Sequence, residues 1–152
     1  MTGRLIIFLL SAVMIVITLS DAKGQQQRKK LFLSANWKGK VGNGDAKEVD
    51  QLCDDLNKMW NSLSRAEKNA IEICVNPPYV YLDRVRTRLN KDIAVGSQNV
   101  YDSHGPNGAN TGAITPKMLR AVGSEWVLLG HSDRRNNLGE TDELISENIF
   151  SF

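Results

Sequence analysis

Two residues carry the chemistry this chain could do, His131 and Lys38. His131 follows Trp126-Val127-Leu128-Leu129-Gly130, an apolar run too short for a helix and of the composition of a strand buried on both faces. In parallel α/β folds the carboxyl ends of the strands open onto one face, which carries the functional groups. A histidine there polarises a carbonyl or moves a proton near neutral pH. The alternative of equal weight is a histidine that caps the following helix or satisfies a loop carbonyl. Lys38 ends a second stretch of the same form, Leu31 to Ala35 running into Asn36-Trp37-Lys38. If the sheet curves into a barrel wall, both residues point into one pocket. A lysine there binds a phosphorylated anion and stabilises developing enolate charge, with Asn36 orienting either group.

These groups need a sheet to hold them, and the patterning supplies one. Asp45 and Glu48 form a capping-box-like helix start. Ala46, Val49, Leu52, Cys53, Leu56, Met59, Trp60 and Leu63 follow at spacings of three and four, which predicts a helix covering a sheet. Ile71 to Asn76 is a strand stopped by Pro77-Pro78, and Leu82, Val85 and Leu89 line a shorter helix. Arg84, Arg86 and Arg88 on that helix read as a solvated face and not as a phosphate patch, because they lie mid-helix. Ile93 to Ser97 is the next strand, and a loop rich in Gly, Pro and Asn runs from Val100 to Ile114. Thr115-Pro116 opens a helix bearing Met118, Leu119 and Val122, and Gly123 ends it before the strand at Trp126. A last helix begins near Thr141, with Leu144, Ile145, Ile149 and Phe152 on its apolar side. Strict strand–helix alternation, four units in all, predicts an α/β chain with right-handed crossovers and a parallel sheet.

Residues 1–22 stand outside this pattern. Arg4 precedes a nearly unbroken apolar run, Leu5 to Leu19, and Ser20-Asp21-Ala22 places small residues where a signal peptidase reads. A core of roughly 15 apolar residues suits a signal peptide cleaved after Ala22 better than a membrane anchor. The expected division is therefore a leader over 1–22, a basic flank over 23–30 and one domain over 31–152. The leader points to the secretory pathway, while the remainder has the composition of a cytosolic protein. A net charge of +2 excludes nucleic acid, and a membrane surface once the leader is gone, as the main partner. Cys53 and Cys74 read as small core residues, with a bridge between them the weaker alternative. The histidines, His104 and His131, show no metal-site spacing.

Ala35-Asn36-Trp37-Lys38, Val75-Asn76-Pro77-Pro78-Tyr79, Ser97-Gln98-Asn99, Thr111-Gly112 with Ile114-Thr115, and Trp126 to Arg135 with Gly139-Glu140 together resemble, in order, the triosephosphate isomerase family. The resemblance runs from about Lys30 to Phe152. It implies an N-terminal half of a TIM barrel, four of the eight strand–helix units found in a barrel of ~250 residues. It further implies interconversion of glyceraldehyde 3-phosphate and dihydroxyacetone phosphate in glycolysis and gluconeogenesis, through an enediol, with no cofactor. Asn36 and Lys38 would bind substrate and His131 would be the electrophile. Asp133 stands where the family has a glutamate that contacts the lysine. Gln98, Thr111, Arg134 and Glu140 match positions that support the site or the dimer contact.

The family's catalytic glutamate, lid and phosphate loops belong to strands six to eight, so 1–152 alone is expected to be inactive. The alternative is a non-catalytic secreted relative that binds phosphate esters weakly or pairs with a full-length subunit. Expected partners are triose phosphate and a second copy or complementary half-barrel, since open edges at the first and fourth strands invite pairing. The family default is cytoplasmic. Ala113 replaces a glutamate that would pair with Arg134 across the dimer, Asn110 replaces an aromatic, and the loop from Asp102 to Gly108 looks longer than usual. Asp133 shortens the reach to Lys38 by one methylene.

Overall fold

The computed structural model describes residues 14–16, 30–40, 45–101 and 110–151, with no side-chain description at 14–16, 150 and 151. The leader cleavage site, most of the basic flank, Gly42-Asn43-Gly44, the loop Asp102–Gly108 with His104, and Phe152 lie outside the described residues.

Four strands run parallel: β2 (Leu31–Asn36), β3 (Ile71–Asn76), β4 (Ala94–Ser97) and β5 (Trp126–Val127). A short strand, β1 (Met14–Val16), pairs antiparallel with the free side of β2, Ile15 opposite Leu33. The helices are α1 (Ala46–Ser62), α2 (Arg65–Ala70), α3 (Leu82–Arg88), α4 (Pro116–Ala121), α5 (Ser132–Leu138) and α6 (Asp142–Ser151), with one 3-10 turn at Tyr79–Tyr81. The helix starts follow from the caps. Asp45 accepts from the Lys47 amide, Thr115 accepts from that of Met118, and Ser64 with Glu67 completes a capping box on α2.

Alternation along the strands divides the core in two. Ile73, Val75 and Val95 face the helices and pack with Val49, Cys53, Trp60, Leu82, Val85 and Leu119. On the other face Phe32, Cys74 and Ala94 meet Trp126. The rings of Phe32 and Trp126 lie 4.5 Å apart between centroids, although their strands are separated by β3 and β4. In a flat sheet three strand spacings would hold them about 14 Å apart. The sheet is therefore curled, and the four parallel strands with their helices form half of a TIM barrel.

Cys53 and Cys74 are buried and free, so the bridge considered from the sequence is not formed. Burial pushes the Cys53 thiol up to about 11 and that of Cys74 higher still.

The last parallel strand is shorter than its apolar run predicts. β4 pairs with it only as far as Ser97, after which one further bond, from the Leu128 amide to the Ser97 carbonyl, closes the ladder. The three arginines of α3 are not simply solvated. Arg84 and Arg88 make paired hydrogen bonds to Asp50 and Asp54 on α1, and those guanidinium contacts hold both carboxyls below their usual range. Arg86 is largely covered and donates to the carbonyls of Leu89, Asn90 and Ile93, satisfying backbone in the turn between α3 and β4.

Gly96 faces the inner side of the curl, where the Asn76 amide stands in the place of its missing side chain. A Cβ on Gly96 would overlap Asn76 Oδ1 and lie 3.0 Å from Trp126 Cβ. Asn76 has nowhere to go, because its Nδ2 donates to Ser34 Oγ at 2.8 Å and to the Ala35 carbonyl at 3.3 Å in the interior. Gly96→Ala therefore combines overpacking with stranded polar groups, and its expected cost is about 2–4 kcal/mol. Thermal unfolding should show a Tm lower by roughly 5–15 °C, and an unchanged Tm would mean that the Asn76 contacts contribute little.

Candidate active site

Asn36 is the last residue of β2, and its Oδ1 accepts the Lys38 amide at 2.9 Å, turning the chain sharply. Lys38 takes φ 52, a left-handed conformation that a lysine adopts only when its surroundings impose it. Gln98, just beyond β4, holds the other end of this residue. Its Nε2 donates to the Lys38 carbonyl at 2.9 Å and to the Asn76 carbonyl at 3.0 Å, bracing the ends of three adjacent strands. Trp37 adds a bond from its amide to the same Asn76 carbonyl at 3.1 Å.

The lysine side chain then reaches Asp133, Nζ to Oδ2 at 3.1 Å, with both side chains about half exposed. The shorter carboxylate at this position still closes the pair. Asp133 Oδ2 also stands 3.6 Å from His131 Nδ1, so one carboxylate lies beside both groups singled out in the sequence, 93 residues apart in the chain, while bonding only the lysine. His131 caps α5, its Nδ1 accepting the Asp133 amide at 3.1 Å. Capping thus uses one ring nitrogen and is compatible with a chemical role for the other. A nitrogen that accepts an N–H carries no proton in the neutral imidazole, which places the hydrogen on Nε2 as a donor.

Behind this pair lies a buried carboxylate. Glu140 accepts from Asn99 Nδ2 at 2.7 Å and pairs with Arg134 Nε, tying the segment after β4 to α5 and to the approach to α6. Arg134 thus has a partner within its own chain, despite Ala113. Burial pushes the nearby Tyr79 hydroxyl up to about 12, with the field of Glu140 adding and that of Arg134 opposing. Thr111 stands apart from these contacts, exposed in the turn Asn110–Ala113, where the Ala113 amide donates to the Asn110 carbonyl at 3.0 Å. Asn76 and Asn99 were not singled out as site residues by sequence. Their signal was an asparagine at, or just past, the end of an otherwise apolar buried strand.

Gln98→Ala would leave the Lys38 and Asn76 carbonyls without their shared donor. The expected cost is about 1–3 kcal/mol in urea unfolding, together with Lys38 leaving its left-handed conformation, visible as altered backbone shifts at residues 37–39. An unperturbed Lys38 would show that the turn after Asn36 alone sets its backbone.

The triosephosphate isomerase family model matches residues 31–151. A curated triosephosphate isomerase of Neurospora crassa is 41% identical over 119 residues, an alignment covering 78% of this chain and 44% of that protein. The chain thus spans less than half the length of the curated relative it matches. The matched residues include both strand ends, the Lys38–Asp133 pair, the His131 cap and the Gln98 brace, and on this match the chain belongs to the triosephosphate isomerase family.

Proposed function

We propose that residues 31–151 supply the electrophile and the cation of a triosephosphate isomerase site, acting on glyceraldehyde 3-phosphate and dihydroxyacetone phosphate without a cofactor. The observation that carries this reading is the Lys38–Asp133 pair set beside an imidazole whose Nδ1 accepts the Asp133 amide, which leaves the ring hydrogen on Nε2 as a donor. Such a donor hydrogen-bonds the substrate carbonyl oxygen as an enediolate develops, and triosephosphate isomerase is itself the familiar case of a neutral histidine acting as electrophile. Lys38 balances the negative charge of the phosphorylated substrate and of the enediolate. Asn36 orients Lys38 through its backbone.

Proton abstraction from carbon requires a base on the substrate side of Nε2. Asp133 lies on the Nδ1 side and is paired with Lys38, so it does not take that role. The base comes from the second half of a barrel, docked against the curled sheet by a complementary half, whichever polypeptide carries it. The test is isomerase activity of the chain mixed with such a half. Activity that persists unchanged in His131→Gln would overturn the proposal.

The leader reading also stands as part of this proposal, supported by the apolar run Leu5–Leu19 and the small residues before Lys23. Mass spectrometry of secreted protein should find Lys23 at the N-terminus, whereas Met1 retained on recovered protein would sink it.

A further inference from the structure

His131 is only as useful as its aim, and the aim depends on the two peptide groups that flank it. The first is reached by a side chain. Arg135 Nε donates to the Gly130 carbonyl at 2.8 Å, fixing the peptide between Gly130 and His131. The second is reached by a backbone group of the same residue, the Arg135 amide donating to the His131 carbonyl at 3.1 Å. The His131 carbonyl also accepts the Arg134 amide at 2.9 Å, so α5 holds the peptide after His131 through two backbone bonds, and the Arg135 side chain holds the peptide before it.

The guanidinium is itself held from outside, its Nη1 paired with Asp142 on α6. Its place is made by a glycine. Gly130 has φ +66, and a Cβ there would meet Arg135 Nη2 at 3.0 Å, Arg135 Nε at 3.2 Å and Ile145 Cδ1 at 3.3 Å. A planar fork suits this site because Nε serves the carbonyl while Nη1, on the far side of the guanidinium, serves the carboxylate, a span that one compact ammonium does not cover.

We infer that Arg135 is a positioning residue for the His131 imidazole, anchoring to α6 the turn that launches it. With both flanking peptides fixed, the Cα–Cβ direction of His131 is fixed. The Asp133 amide then needs to settle only the ring rotation, and it does so through Nδ1. Without the Arg135 fork the Gly130 peptide is free to rotate, the bond to Nδ1 becomes intermittent, and the neutral ring samples both tautomers. The inference rests on the proposed role of His131 as a donor through Nε2–H.

The test is nitrogen-15 NMR of the imidazole in the full chain, without substrate. Wild type should show a single neutral tautomer protonated on Nε2. Arg135→Gln should lose that single pattern and give exchange-averaged signals from both tautomers. Arg135→Lys, keeping the charge but only one donor group, should give the same averaging to a smaller extent. A folded R135Q or R135K protein with the wild-type imidazole pattern would overturn the inference. In wild type, the Arg135 Nε–H should show slow solvent exchange and a through-hydrogen-bond coupling to the Gly130 carbonyl carbon, and its absence would overturn the inference even if neither variant folds. Because no turnover is measured, failure here leaves the isomerase reading standing. Failure of that reading would leave the hold of Arg135 on Gly130 intact.

Discussion

A polypeptide of residues 1–152 should turn over no glyceraldehyde 3-phosphate above a blank, and a second polypeptide carrying the later half of a triosephosphate isomerase barrel should make it active. The reason is a division of labour visible in the site. This half offers a hydrogen-bond donor and a cation, while the one carboxylate shown beside them is committed to the ion pair and faces the wrong side of the ring. Loss of a general base costs about 10²–10⁴-fold, and loss of phosphate-binding loops and a lid removes orientation and retention as well. The mixture should therefore exceed the chain alone by at least about 10³-fold, saturating with the added half. β1 bears on the outcome, because its antiparallel pairing occupies the side of β2 that a closing barrel strand must take. A polypeptide starting at Lys23 should thus assemble at lower concentrations of the second half. Activity of the chain alone within about tenfold of the mixture would mean that some carboxylate of this half serves as base after all.

The parts of this arrangement that could be read from the sequence are those that local pattern encodes. The run Ile71 to Asn76 with its stop at Pro77-Pro78 located β3 to the residue, and strand-end position marked Lys38 and His131. The unread parts depend on partners distant in the chain. Phe32 and Trp126 each look like ordinary strand residues, and only curling brings their rings together. Arg86 has the same spacing and composition as its neighbours Arg84 and Arg88, yet it alone turns inward, toward carbonyls that become available where α3 stops. The run containing Met14–Val16 is apolar at almost every position, so it carries no alternation from which pairing with β2 could be read. For His131 the sequence left capping and chemistry as rivals. In the proposed role the first becomes a condition of the second, since the capping bond selects the tautomer.

In the assembled pair of halves, Lys38→Met should lower kcat/KM by about 10²–10³-fold, the scale of removing one preorganised charge from a reacting centre. The fold should survive. The pair with Asp133 is about half exposed, and such pairs contribute about 0–1 kcal/mol. Methionine keeps a Cβ and an unbranched stem, so the bonds from Asn36 and Gln98 to the backbone of residue 38 remain available. Lys38→Arg should not restore activity, because a wide planar fork cannot occupy the place of a compact ammonium whose backbone is pinned at φ 52. Asp133→Asn separates aim from charge. The ammonium stays but loses its ionic anchor, and the expected loss is only about tenfold. Asp133→Glu keeps the anchor with a longer reach and should fall within a few-fold of wild type. A loss in D133N equal to that in K38M would reverse the assignment, making the carboxylate and not the ammonium the group on which turnover depends.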